Sequence, residues 1–536
     1  MRIKIILISL ILLSLLTRFI PLDFPIFTTD EARIAFRGYA LSKYGSDELA
    51  RIHPFIFNSL SDYQLPVTSY LTAFGTLLFG KTDFAVRLPF MIIGVLIVLL
   101  SFKIAQRFKK EKIYAWYVFC VVAFSPVLIF FSKIPNEFIV LTLLNLILFY
   151  LLIQEKIETP AVLIIVTLQL LTSKSAAFTI LPFVIFTLFI FRKKEIYKKK
   201  IIISLSTAIL TFSIVILFLQ IPQSGRSILE NNFSILQDVT LKNGIDKLRG
   251  QGVESGWPNI LEKFLFNKSY SFVVGVSHWL SHLQLRILFA QFDKGGEFGF
   301  MNMGMFSKLL ITPFIIGIWF LIKTTDFRKK TLLIYPLIQS FPLLFLYPNN
   351  DLGILLPILP YLAFIIAFGL INLKFKFSAI LIIFMVGEII LNLFYFKADE
   401  KNAAGMRPLW IKEVVNQAYL ISLTTDIAIS DDLTRDLAPF MQWYTPINFD
   451  KTFANIDFPY KFTQTKLTNI KIIGESNNFY NCGQDKPTQV IASKRDFKKI
   501  KRWLNRVALE KEVQKVYLND YGEESAFILP PNICIN

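Results

Sequence analysis

Thr29-Asp30-Glu31-Ala32-Arg33 sets three charged side chains within five residues, about ten residues beyond the apolar run from Ile3 to Ile20. That run belongs in lipid or in a protein core, because about 20 mostly apolar residues make a helix long enough to cross a bilayer. Arg2 and Lys4 stand at its start, and no small-x-small cleavage site follows in Thr17-Arg18-Phe19-Ile20-Pro21. It therefore reads as an uncleaved first span rather than a secretory signal. The charged stretch then lies just beyond a membrane face, and the rest of the chain is read outward from that junction.

The 536 residues are 54% hydrophobic, with 54 Phe and a mean hydropathy of +0.52, which places the chain among multi-spanning membrane proteins. Apolar runs fall near 3–20, 84–106, 113–131, 136–153, 160–173, 176–191, 201–220, 305–322, 331–347, 353–371 and 377–396, about eleven spans. The net charge is +18, yet from Lys397 onward 19 Lys and Arg face 17 Asp and Glu, so nearly all of the excess lies among the spans. A nucleic-acid binder would carry a basic patch on a soluble domain. Here the basic residues sit in short loops: Arg107 to Lys112, Arg192 to Lys200, Lys323 to Lys330 and Lys374 to Lys376. With the amino terminus inside, all four loops are cytoplasmic, as the positive-inside rule requires, and an odd span count leaves the tail outside.

Two outer loops are too long to be connectors. The first runs from Pro21 to about Asp83 and contains amphipathic patterns, Glu31 to Lys43 and Val67 to Phe79, that suit helices lying in the interface. The second, about Gln220 to Gly304, is rich in Gly, Asn and aromatic residues. From Lys397 to Asn536, strand-like runs (Ile427 to Ile429, Ile470 to Ile473, Gln489 to Ala492, Ser525 to Leu529) alternate with helical ones. The expected fold is mainly α and polytopic: a membrane domain over 1–396, interfacial helices in its first outer loop, and a small extracytoplasmic α/β domain over 397–536. Cys120 falls in an apolar run and reads as packing. Cys482 and Cys534 in the tail either pair in an oxidising compartment or remain free thiols.

Charged residues at a membrane face mark function more often than chance, although a solvated loop is the plain alternative for Asp30 and Glu31. Three further stretches weigh against the plain reading. Ser61-Asp62-Tyr63-Gln64-Leu65-Pro66-Val67 supplies another acid, followed by a Pro that opens an apolar helix. Ser132-Lys133-Ile134-Pro135-Asn136-Glu137 sets a further acid against a span, and Phe84-Ala85-Val86-Arg87-Leu88-Pro89 places a cation at the mouth of the second span. By topology all lie on one side of the membrane, where acids and bases together can bind a phosphate and activate a hydroxyl.

On these residues the sequence resembles the GT-C membrane glycosyltransferases, the superfamily of the protein O-mannosyltransferases and lipid A aminoarabinose transferases. Asp30-Glu31-Ala32-Arg33 matches the acidic motif of that family's first outer loop. Asp62 to Val67 resembles its Asp-Tyr-Lys-Pro-Pro-Leu motif, and Leu78-Phe79-Gly80 with Ala85-Val86-Arg87-Leu88-Pro89 resembles its run into the second span. Leu280-Ser281-His282 through Leu288-Phe289, with Gly304-Met305, resembles a later outer-loop pattern, and Pro357-Ile358-Leu359-Pro360 a late-span signature. The likeness covers about residues 1–395 and is strongest in the first hundred. The chain departs where the family's Lys and first Pro are replaced by Gln64 and Leu65. In the family that Lys helps hold the lipid phosphate, so the cation here must come from elsewhere: Arg33, Arg87, Lys133, Lys174 or His53. Lys174 is equally readable as a snorkelling anchor and His53 as a plain loop residue.

The resemblance implies transfer of a sugar from a polyprenyl-phosphate donor to an acceptor hydroxyl on a protein, glycan or lipid, with inversion at the anomeric carbon. Asp30 is expected to be the general base, sharing the catalytic motif with Glu31. Asp62 and Glu137 would shape the acceptor site or tune the base through like-charge proximity. An oxocarbenium-like state is favoured by nearby negative charge, and the leaving phosphate by a cation. No zinc-ligand spacing occurs, so no catalytic metal or cofactor is expected, with a cation at the outer acids left open. Two rival readings are a transporter or flippase of lipid-linked sugars, disfavoured by span centres nearly free of charge, and a non-catalytic membrane protein on the same scaffold, favoured by Gln64.

Overall fold

A computed structural model describes residues 2–19, 27–47, 51–59, 62–109, 111–154, 158–191, 197–221, 234–256, 258, 260, 266–292, 303–346, 352–398, 409–424, 427–430, 433, 437–445, 464–467, 470–473, 489–503, 513–518 and 524–529. The chain is mainly helical and divides into two compact units. The first comprises Met1–Pro21, Leu65–Thr68 and Phe90–Phe394; the second comprises Leu22–Gln64, Ser69–Pro89 and Tyr395–Asn536.

The first unit is a bundle of apolar helices: α1 (Arg2–Phe19), most of α4 (Asp83–Phe108), α5 (Lys112–Ala123), α6 (Pro126–Phe131), α7 (Glu137–Ile153), α8 (Thr159–Leu170), α9 (Ala176–Phe191), α10 (Tyr197–Gln220) and later helices including Ile311–Lys323 and Leu359–Asn372. Among the described residues, four helical stretches are long and apolar enough to cross a membrane: Asp83–Phe108, Ile201–Gln220, Leu352–Asn372 and Phe375–Asn392. Several of the expected spans are broken instead, and proline explains the breaks. The run 113–131 divides at Ser125, whose hydroxyl caps the Leu128 amide so that Pro126 can open α6. The run 331–347 divides at Pro336 and Pro342 into two 3₁₀ turns flanking a short helix, since proline supplies no amide hydrogen to continue a helix.

Helices Ile311–Lys323 and Leu359–Asn372 touch backbone to backbone. A methyl at Gly317 would overlap the Ile365 carbonyl, and one at Gly369 the Pro313 carbonyl. Small residues are what let membrane helices approach that closely. Around them Phe149, Phe183, Tyr335 and Tyr361 form a ring cluster, with Tyr335 and Tyr361 stacked at 5.2 Å. A buried thread of neutral amides runs beside it. Gln169 donates to Asn145 at 2.8 Å, and Asn145 to Gln339 at 3.1 Å. The stretch expected as a second long loop is largely helical where described, with helices Val239–Glu254, Lys268–His282 and Leu285–Phe289. Met305 and Phe306 donate their amides to Ile287 and Leu288, so the two halves of the 280–305 sequence pattern do meet.

The second unit joins sequence from both ends of the chain. Its first part is α2 (Thr29–Tyr44), the hairpin of β1 (Phe57–Ser59) with β2 (Asp62–Gln64), and α3 (Pro66–Phe79) from Ser69 onward. Its second part is a six-stranded sheet in the order β4-β5-β3-β6-β8-β7. These strands are β3 (Ile427–Ser430), β4 (Gln464–Leu467), β5 (Ile470–Ile473), β6 (Gln489–Ser493), β7 (Lys515–Leu518) and β8 (Glu524–Leu529). β3 runs parallel to β5 and β6, and the remaining pairs are antiparallel. One hydrophobic cluster spans both parts: Ala32 and Ala35 of α2 and Val86 of α4 pack in it with Ile411, Val414, Ile427, Ile429, Trp443 and Ile528. The compact division therefore does not fall at 396/397, because the first loop and the tail share a core.

The two amphipathic segments of that loop differ. α2 was expected to lie in an interface, but Ala32, Ile34, Ala35, Phe36, Ala40 and Leu41 are buried in protein. Its small alanines let the tail pack closely, which satisfies the apolar face without lipid. It ends at Gly45, whose φ of 67° is the left-handed turn that stops a helix. α3 instead leaves Phe74, Leu77 and Leu78 exposed, as an interfacial helix would.

Candidate active site

The charged motif opens α2, and the reason is local. Thr28 is the N-cap: its hydroxyl accepts the Glu31 amide at 3.3 Å and donates to the Glu31 carboxylate at 3.4 Å. This Thr-x-x-Glu spacing is a capping-box pattern, and it fixes Glu31 inward. Asp30, one residue earlier, points the other way. Its side chain is 77% exposed and accepts from Arg33 at 3.2 Å. Glu31 is buried and forms an ion pair with buried Arg87 at 3.7 Å. Two adjacent carboxylates thus meet opposite environments. Both also lie in the first turn of a helix, where the backbone dipole favours negative charge.

Three cations share this neighbourhood. Arg33 and Arg87 were expected from the sequence; Arg37 was not. It is fully buried on α2 and donates to the side-chain carbonyl of Gln64 at 2.6 Å, while its guanidinium lies over the Phe57 ring at 5.5 Å. Ser69 also reaches the Gln64 carbonyl, at 3.4 Å. Gln64 is therefore in contact with a cation supplied by another element. An arginine among Ala32, Ala35, Phe36 and Ala40 on an otherwise apolar stripe was the available signal.

The remaining candidates are placed differently. Asp62 lies in β2, paired with Ser59, and its backbone adjoins the Tyr63–Gln64 segment. His53 is an exposed turn residue with a φ of 43°, and its amide donates to Gly45. It sits at the far end of α2 from Asp30, about 20 Å away by helix rise, so it joins no part of this cluster.

Glu137, Lys133 and Lys174 belong to the first unit. Glu137 opens α7 behind the Asn136 cap and accepts from Ser173 at 2.7 Å, next in sequence to half-buried Lys174; Lys133 is buried. The same unit holds a cation that the sequence reading passed over. Arg18, in the last turn of α1, is fully buried and donates to Ser14 and to the Ala123 carbonyl at the end of α5. Cys120 is buried and unbonded, while Cys482 and Cys534 lie outside the described residues. Among the described residues no three of His, Cys, Asp and Glu gather in one place.

Residues 62–218 match the family described as dolichyl-phosphate-mannose-protein mannosyltransferase. That stretch includes Gln64, Arg87, Lys133, Glu137 and Lys174 but not the opening of α2. No curated protein sequence matches the chain. Among solved structures, ArnT from Cupriavidus metallidurans in the apo state aligns over 100% of both chains, with a TM-score of 0.55 and 10% identity. The same protein bound to undecaprenyl phosphate aligns over 99% of each chain, with a TM-score of 0.53 and 11% identity. The apo oligosaccharyltransferase of Archaeoglobus fulgidus aligns over 91% of this chain and 69% of its own, at a TM-score of 0.47 and 11% identity. The likeness to ArnT shows that the chain has a GT-C fold.

Proposed function

We propose that the protein is an inverting glycosyltransferase that moves a sugar from a polyprenyl-phosphate donor to an acceptor hydroxyl at the extracytoplasmic membrane face. The observation that carries this reading is the division of labour at the opening of α2. Asp30 is exposed, while its neighbour Glu31 is buried against Arg87. The GT-C fold and the match of 62–218 to a dolichyl-phosphate-mannose-dependent family support the donor class. The undecaprenyl phosphate bound in one ArnT structure supports a prenyl-phosphate leaving group.

In this mechanism Asp30 takes the acceptor proton as the hydroxyl attacks the anomeric carbon, and the prenyl phosphate departs from the opposite face. Its pairing joins an exposed carboxylate to the largely buried Arg33 guanidinium, and leaves the open side of the carboxylate to an acceptor. Glu31 orients the helix opening and fixes Arg87. Arg37, beside Gln64, takes the place of the family's Lys as a cation for the leaving phosphate, with Arg33 one turn earlier on α2 and Arg87 in the same unit. Asp62, Glu137, Lys133 and Lys174 remain proposed contributors to acceptor and phosphate binding. The lipid-linked sugar is a co-substrate rather than a cofactor, and the reading leaves room for a divalent cation at the outer acids. In this reading the amino terminus is cytoplasmic and the tail extracytoplasmic, as the positive-inside pattern of the basic loops supports.

The test is prenyl-phosphate release by membranes containing the native chain or Asp30→Asn. The variant is expected to insert normally and to lose about 10²–10⁴-fold in transfer rate. Undiminished transfer by Asp30→Asn would remove Asp30 from the chemistry.

A further inference from the structure

We infer that Trp443 and Tyr444, in the tail, are positioning residues for the Glu31–Arg87 pair, resting on the reading of α2's opening as the active site. The link is Phe27, the residue before the Thr28 cap. Its ring is fully buried, and the Arg87 guanidinium lies over it at 4.7 Å from the centroid. Trp443 and Tyr444 flank the same ring at 5.7 and 6.4 Å. The Phe27 amide donates to the Tyr444 hydroxyl at 3.4 Å. The tail thus grips the residue on which Arg87 rests, across more than 400 positions of sequence.

A second set of contacts holds the grip in place. The Trp443 indole donates to Asp83 at 2.8 Å, and Asp83 stands one helical turn before Arg87 on α4. Lys81 donates to the carbonyls of Gln442 and Thr445 at 3.0 and 2.8 Å, at the end of helix Ala438–Tyr444. That is where a helix leaves carbonyls without intrahelical partners and where a cation is favoured. Trp443 therefore fixes Arg87 from two directions, through Phe27 beneath it and through Asp83 on its own helix. The rings also keep water from an ion pair whose separation, 3.7 Å, leaves room for rotation. Without them Arg87 can rotate over Phe27 and its contact with Glu31 lengthens.

The test uses the full chain with Trp443→Leu, Trp443→Phe and Lys81→Met. Amide hydrogen exchange in residues 27–33 is expected to rise at least about fivefold in Trp443→Leu, and by smaller factors in Trp443→Phe, which keeps a ring against Phe27 but loses the donor to Asp83, and in Lys81→Met. Lys81→Met leaves the packed rings intact and so separates the grip from the folding of the tail, which exchange in β6 and β8 reports. With a prenyl-phosphate sugar as donor, kcat is expected to fall about tenfold or more in Trp443→Leu with donor KM changed less than about twofold, and Trp443→Phe to recover part of it through its ring. Native exchange at 27–33 in both Trp443→Leu and Lys81→Met overturns the inference, and so does raised exchange with kcat unchanged. Raised exchange in a protein whose native form transfers no sugar leaves the positioning intact and overturns the proposed function instead.

Discussion

The two compact units bury polar groups in contrasting ways. In the helical bundle, the thread through Asn145, Gln169 and Gln339 is made of neutral amides. In the unit that joins the first loop to the tail, Glu31 and Arg87 are buried as a charged pair. A neutral amide taken from water and left partly satisfied costs on the order of 1–3 kcal/mol, whereas an unpartnered buried charge costs considerably more. The bundle's buried cations Arg18 and Lys133 and its acid Glu137 fit the same logic, for they lie in the last turn of α1, just beyond α6 and in the first turn of α7. Among the described residues the Glu31–Arg87 pair lies in the mixed unit, where the chemistry is proposed, while the bundle also holds half-buried Glu388 within helix Phe375–Ala398, where it accepts from Ser307.

The comparison breaks most readily at Arg87. Arg87→Leu leaves Glu31 buried without its ion-pair partner, and a loss of about 3–5 kcal/mol in stability is expected, with sugar transfer abolished. Denaturant unfolding of the purified chain measures the first and donor turnover the second. A stability change of under about 1 kcal/mol would mean that the pair is already well hydrated.

Next in size is the bundle. Asn145→Leu strands the amides of Gln169 and Gln339 and is expected to cost about 1–3 kcal/mol. Transfer at a temperature where the variant remains folded should be near native, because the thread holds structure and touches none of the proposed catalytic groups. A melting curve with a turnover assay checks both halves. Loss of transfer without loss of stability would give the amide thread itself a part in the chemistry.

The smallest effect concerns pH and sharpens the contrast. Burial, and after it the charge of Lys43, hold the Lys81 ammonium down at about 8. An unfolded lysine titrates near 10.4. Below about 8 Lys81 is charged whether the tail is docked or not, so the cost of burying its charge is fully present. Between about 8 and 10.4 the docked form has shed its proton and the free form has not, so docking strengthens as pH rises. The melting temperature of the native chain should therefore rise relative to Lys81→Met between about pH 7.5 and 9.5. The partial exposure of Lys81 keeps the shift modest.

How much of this was written in the sequence depends on distance along the chain. The apolar runs betray membrane helices because Leu, Ile and Phe leave no other reading, and the basic loops carry their own pattern. The central strands β3, β5, β6 and β8 were visible as β-branched or aromatic runs. The edge strands β4 and β7, Gln464–Leu467 and Lys515–Leu518, were not, since a strand with one free edge carries polar residues and lysines that look like loop. The Thr28-x-x-Glu31 cap was legible but overshadowed by the charges beside it. Arg37 announced itself only as a cation on an alanine stripe, and its partner Gln64 lies in another element. The grip of Trp443 on Phe27 joins residues from opposite ends of the chain, which no local period or spacing encodes.

The fate of the donor separates sugar transfer from lipid transport. Purified chain in lipid, given a panel of prenyl-phosphate sugars and a hydroxyl acceptor, should release prenyl phosphate and form a glycoside of inverted anomeric configuration, and Asp30→Asn should do neither at a comparable rate. Donor that crosses the bilayer with its sugar–phosphate bond intact, or product of retained configuration, would contradict the account.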